Sequence, residues 1–187
     1  MAEHSLLLES RSGLPEALRV LLDEYPRNIW DGHSNFDGLV RFWLERHLMF
    51  RKFLEHMQRD LEHRLEGQLS PDLYSTRLAR IANMFIGELT THHTIEDQQY
   101  FPILVGFESD LQRGFEILDK DHHALDFHLE NLAANANRVF KAGVHEQDRA
   151  LDAFHDKLQV LHKFLDRHLI DEEELIVPII LKHGFEH

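Results

Sequence analysis

Two runs of this sequence place an imidazole and a carboxylate four residues apart: His92-x-x-x-Glu96, followed at once by Asp97, and His168-x-x-x-Glu172, followed by Glu173. On a helix, residues four apart stand one turn apart on the same face, so each pair can converge on a single point. Nitrogen and carboxylate oxygen at one point is metal-ligand chemistry. The chain has no cysteine, which excludes disulfides, thiolate sites, iron–sulfur clusters and cysteine nucleophiles. The remaining donors suit iron, manganese or zinc better than copper(I).

The two runs belong to an internal repeat. His92, Glu96, Asp97, Pro102 and Ile103 recur as His168, Glu172, Glu173, Pro178 and Ile179, every pair 76 positions apart. Upstream, His47 and His122 precede the two motifs by 45 and 46 residues, each with an apolar residue three positions on and Leu seven positions on. Two copies of one helical hairpin, each carrying His and then His-x-x-x-Glu, account for the pattern.

The elements that must hold these residues are helical. Apolar residues recur at three and four, β-branched residues are sparse, and alternating runs are missing. The spacing predicts an all-α, up-down-up-down four-helix bundle over residues 35–181. Its arm, 1–34, carries a short helix between Pro15 and Pro26, and a tail follows over 182–187. After a turn at DGHSNFDG, 31–38, the first long helix reaches about Gly67 and the second runs from about Asp72 to a kink or end at Pro102. The third covers about Ser109–Lys141, and the fourth about His145 up to Pro178.

Writing the three-and-four register along each helix shows what interrupts it. The first seam is Val40, Trp43, His47, Phe50, Leu54, Met57 and Leu61, and the second Leu78, Ala82, Phe85, Leu89, His92, Glu96, Gln99 and Ile103. The third is Leu111, Phe115, Leu118, His122, Leu125, Leu129 and Leu132. The fourth is Leu151, Phe154, Leu158, Leu161, Leu165, His168, Glu172, Leu175 and Ile179. His93 fits a neighbouring register on the second helix almost as well as His92, and the repeat selects His92. Basic seam residues are absent, so ionised carboxylates buried there need cations or protons beside them. His56, His63, His128, His155 and His162 fall off the seams and are expected at the surface.

The formal charge of −13 and the absence of a long apolar run argue against nucleic acid and membrane partners and for a soluble, cytoplasmic protein. No nucleotide or phosphate motif stands out. The C-terminal His187 stands alone and is no tag.

The arrangement H…HHxxEDxxxFP…DHHxL…HxxxEExxxxP resembles the hemerythrin family of HHE cation-binding four-helix domains over about residues 35–181. The resemblance implies a non-haem di-iron centre, oxo- or hydroxo-bridged, with iron preferred to zinc or manganese. By position it implies ligands His47, His92, Glu96, His122, His168 and Glu172, the two glutamates bridging. Oxygen-carrying members place a further histidine one turn before the third-helix ligand, where this chain has Leu118. Four imidazole nitrogens, four carboxylate oxygens and a bridge shared by both ions would then fill ten of twelve positions. Asp97, His123, Asp126 and Glu173 are candidates to close another or to stand behind the ligands. The implied function is binding or sensing dioxygen or a related small oxidant, nitric oxide or peroxide. The alternatives are an iron-dependent peroxidase, oxidase or nitric-oxide-handling enzyme, and a structural zinc site. A diatomic or peroxide ligand, and a protein partner or a second copy of the chain, are the expected partners.

Overall fold

The periodic segments fold as helices whose ends are marked by the residues that punctuate them. The computed structural model describes residues 6–36 and 38–185; Asp37 in the expected turn, and the arm and tail residues 1–5 and 186–187, lie outside the described residues. The helices are α1 (Val20–Glu24), α2 (Gly38–Leu65), α3 (Pro71–Ile95), α4 (Phe101–Phe107), α5 (Gln112–Lys141) and α6 (Gln147–His183), with no strand among the described residues. α2 closes at Gly67, whose φ of +74° disfavours a side chain, and the Gln68 N–H returns to the His63 carbonyl at 2.8 Å. α3 opens on Ser70, whose hydroxyl accepts from the Leu73 N–H at 3.4 Å, with Pro71 in the first helical position. No helix among the described residues is long and apolar enough to cross a membrane.

The described chain forms two compact units, one of residues up to Leu48, His93–His123 and Asp166 onward, the other of Met49–His92 and Ala124–Leu165. The first takes in α1, α4 and one end of each long helix, and the second takes in the remaining lengths of α2, α3, α5 and α6. The second unit has a plain apolar core, in which Phe50, Leu54, Met57, Leu78, Phe85, Leu129, Phe154 and Leu161 are all buried and Phe50 meets Phe85 edge-on at 6.4 Å. The first unit buries an apolar cluster too, but charged groups stand inside it: Arg11, Glu96, Asp121, Asp171, Glu172 and Glu173.

Two expected helix ends are corrected. Helical backbone continues past Ile95 through a π turn, Glu96–Tyr100, in which the Phe101 N–H reaches the Glu96 carbonyl. Pro102 then falls in the first turn of α4, where its missing N–H costs little, and the helix ends at Phe107. α6 passes through Pro178 to His183, taking in the first two residues of the expected tail. There Leu175, Ile176, Val177, Ile179, Ile180 and Leu181 are all buried, so packing on every side outweighs one lost backbone bond.

The π turn also corrects a seam. The seams expected on α2, α5 and α6 are buried throughout, and that of α3 is buried from Leu78 to Leu89 and again at Glu96, with His92 half-buried. Beyond Glu96, Gln99 is exposed and Ile103 is 46% exposed, while Phe101 and Leu104 are buried instead. A π turn inserts one residue, so the core face moves on by one position. The histidines placed off the seams, His56, His63, His128, His155 and His162, are exposed or half-buried.

The arm is tied to α6 at several points. The Ser12 carbonyl accepts from Arg167 at 2.8 Å, the Leu14 N–H donates to Asp171 at 3.1 Å, Arg19 pairs with Glu174 at 3.4 Å, and Asn35 donates to the Leu181 carbonyl at 2.8 Å. Leu14, Leu18, Leu21 and Trp30 enter the apolar cluster of the first unit. At Gly114, in the first turn of α5, a Cβ would lie 2.8 Å from a terminal methyl of Leu175, so any side chain there would push Leu175 aside.

Candidate metal centre

Seven side chains from α2, α3, the π turn, α5 and α6 gather into two groups. His93, His122 and His168 form one, and His47, His92, Glu96 and Glu172 the other; in each, one ligand atom per residue lies within 4.8 Å of all the rest. All six residues expected from the sequence are present, and His93 is added. The neighbouring register that the repeat passed over is therefore also used: consecutive positions on α3 lie about 100° apart, so His92 and His93 serve different groups.

The histidine rings are aimed from behind. Nδ1 of His47 lies 3.0 Å from Glu173, Nδ1 of His122 lies 2.8 Å from Asp97, and Nδ1 of His168 lies 3.2 Å from Asp121. An ionised carboxylate only accepts, so each Nδ1 carries the proton and each Nε2 presents a lone pair, the tautomer a metal requires. These Nε2 atoms face the two glutamates. Glu172 Oε2 lies 3.5 Å from Nε2 of both His47 and His168, and Glu96 Oε2 lies 3.6 Å from Nε2 of His122. The Nε2 atoms of His122 and His168 are buried and have no hydrogen-bond partner. Buried lone pairs converging with carboxylates are what a cation satisfies.

The electrostatics agree. Burial pushes the Glu96 carboxyl up to about 8, with hydrogen bonding to Glu172 and Trp43 pulling the other way and the Asp97 charge adding to the rise. Burial pushes the His168 imidazole down to about 4, opposed by its bond to Asp121. Burial thus works against a negative charge on Glu96 and against a proton on His168, and a cation placed between them would relieve the first without needing the second. Trp43 donates to Glu172 at 3.0 Å, and the Phe101 ring lies 5.6 Å from that of His122. A cavity with free space about the size of one water borders Glu172, walled by Val40, Trp43, Leu44, Ile176 and Ile180. The larger grooves around Arg138 and Arg149, and around His56 and Arg77, contain none of the seven.

Of the further candidates, Asp97 and Glu173 stand behind His122 and His47, Asp126 is exposed, and exposed His123 bonds to the Asp119 carbonyl at 2.8 Å. Sequence reasoning missed His93, Asp121, Asp171 and Arg11. The doubled histidine was the signal for His93. Asp121 lies 47 positions from the histidine it holds and Arg11 160 positions from Asp171, and no local pattern reports such pairings. Basic residues are absent from the helical seams as expected, but Arg11 of the arm enters this interior.

The family description "Hemerythrin HHE cation binding domain" matches residues 38–180. No curated protein and no solved structure matches the chain.

Proposed function

The chain belongs to the hemerythrin family of HHE cation-binding domains, and from that premise we propose that its metal centre is a pair of iron ions that binds or senses dioxygen or a related small oxidant. One observation carries the dinuclear reading. Glu172 Oε2 lies equally far from a histidine of each group, 3.5 Å from His47 and from His168. A carboxylate so placed could serve both groups, and would bridge two ions held there. Glu96, grouped with His92 and His47 on one side and 3.6 Å from His122 on the other, would be the second bridge.

In this reading His93, His122 and His168 hold one ion and His47 and His92 the other. His93 supplies the histidine that Leu118 withholds. Five imidazoles, two bridging carboxylates and one shared oxygen bridge fill eleven of twelve positions of a six-coordinate pair. One open position favours binding of a single small ligand over oxidation chemistry that needs two. Iron bound there supplies a redox-active centre able to take such a ligand. The residues around it do the rest: Asp97, Asp121 and Glu173 fix the imidazole tautomers, Trp43 orients Glu172, and Phe101, Leu118 and Leu125 exclude water.

Elemental analysis of protein purified without a metal-affinity step, with visible spectra after reduction, air and azide, tests the proposal. The expected result is a pair of irons per chain with oxo-bridge and azide charge-transfer bands. Zinc with no colour would replace oxidant binding by a structural metal. Sustained turnover of peroxide would move the protein to the enzyme reading.

A further inference from the structure

Arg11 comes from the arm, yet its side chain is only 2% exposed. Its guanidinium meets Asp121 with both terminal nitrogens, one of them donating to Oδ1 at 2.7 Å, and its Nε donates to Asp171 at 2.8 Å. Asp171 is itself gripped by Arg167 at 2.6 Å and by the Leu14 N–H at 3.1 Å, so the guanidinium is fixed on both flanks. The other oxygen contact of Asp121 is the Nδ1 of His168, at 3.2 Å. The same order recurs at the other group: Arg27 donates to Glu173 at 2.8 Å, and Glu173 lies 3.0 Å from the Nδ1 of His47. In each case an arm arginine holds a carboxylate, and the carboxylate holds the Nδ1 of a histidine whose Nε2 faces Glu172.

Fastening the arm does not require this chemistry. A buried guanidinium gives up its hydration, and an apolar side chain in its place would staple the arm without that loss. A planar fork held bidentately on a carboxylate does something an apolar contact cannot: it fixes the carboxylate's orientation.

We propose that Arg11 is a positioning residue for the metal centre, acting through Asp121 to set the tautomer and aim of His168, and that Arg27 acts likewise through Glu173 on His47. The inference rests on the metal-binding reading above. It makes the N-terminal arm part of the metal site, although no described arm residue belongs to either ligand group.

Cobalt(II) titration of the full chain tests it, with affinities from chelator competition and ligand geometry from the visible d–d bands. Arg11→Met is expected to weaken one cobalt site about 10- to 100-fold and alter its bands, and Asp121→Asn to do the same. The double variant should lose no more than either single one, because both act along one path. Arg27, whose side chain is 42% exposed, should give a smaller loss on substitution by Met. Unchanged affinities and bands in Arg11→Met, or a double variant whose loss is the sum of the two, would overturn the proposal. Should Arg11→Met fail to fold, Arg11→Lys keeps the charge without the fork; a weakened site with altered bands supports the proposal, and wild-type behaviour overturns it. Failure of the wild-type chain to bind cobalt would instead remove the metal-binding reading, and this inference with it.

Discussion

The stretches 92–104 and 168–180 carry the same motif, and up to their glutamates they do the same thing: each delivers an imidazole and a carboxylate to one group or the other. Past the glutamate they part. In α6 the helix is regular, and Leu175, Ile176 and Ile179 follow Glu172 into the core. In the earlier copy the π turn intervenes, so that Phe101 and Leu104, five and eight positions after Glu96, take the places that lie four and seven positions after Glu172. The structural offset between the copies therefore falls from 76 to 75 within the motif. Pro102 and Pro178 match as letters and not as positions in the fold. A π turn at a functional residue is a recognised way to re-aim side chains, and here it begins on Glu96 and contains Asp97, the partner of His122.

This contrast can be broken most forcefully at its apolar positions. Ile179→Ala should cost about 2–5 kcal/mol of unfolding free energy, because Ile179 is 0% exposed, whereas Ile103→Ala should cost under about 0.5 kcal/mol. Denaturant unfolding of the two variants measures this, and equal costs would mean that the register shift does not exist in solution.

Deleting exposed Gln98 should sharpen it. Removal of one residue turns the π turn into regular helix while leaving Phe101 and Leu104 on the core face, so cooperative thermal unfolding should persist. Metal affinity should nevertheless fall about 10- to 100-fold as Glu96 and Asp97 are re-aimed. Retained affinity would show that the turn is incidental to the site.

The smallest expected effect lies where the two copies are tied downstream. Glu108, just past α4, bonds to Lys182 and to His183 at 2.7 Å at the end of α6. Hydrogen bonds from Lys182 and His183 hold its carboxyl below the ordinary value of 4.5. A depressed folded value means that the contribution is fully present above 4.5 and is lost as pH falls through the folded value. Glu108→Gln should therefore melt slightly below the wild type at neutral pH, with the difference closing in acid; a gap that widens in acid would contradict that sign.

Helix periodicity, the absence of cysteine and the spacing of His and Glu were properties of the chain itself. They sufficed for the all-α bundle and for most of the buried seam, because a helix converts spacing directly into faces. His47, His122 and His168 could be recognised for the same reason: each interrupts an otherwise apolar stripe. The π turn was not legible, since an inserted residue leaves the composition of the stripe unchanged and only packing reveals which face is buried afterwards. Nor was the selection of His93 alongside His92, which depends on a difference in aim of about 100° between neighbouring residues and on what stands opposite each. Asp97 and Glu173 were nameable as candidates to stand behind the ligands because each directly follows a motif glutamate, but Asp121 behind His168, and the arginine held by Asp121 and Asp171, were beyond any local pattern. They are joined across as many as 160 positions, and only the folded chain brings charges so far apart in sequence close enough to neutralise one another in a dry interior.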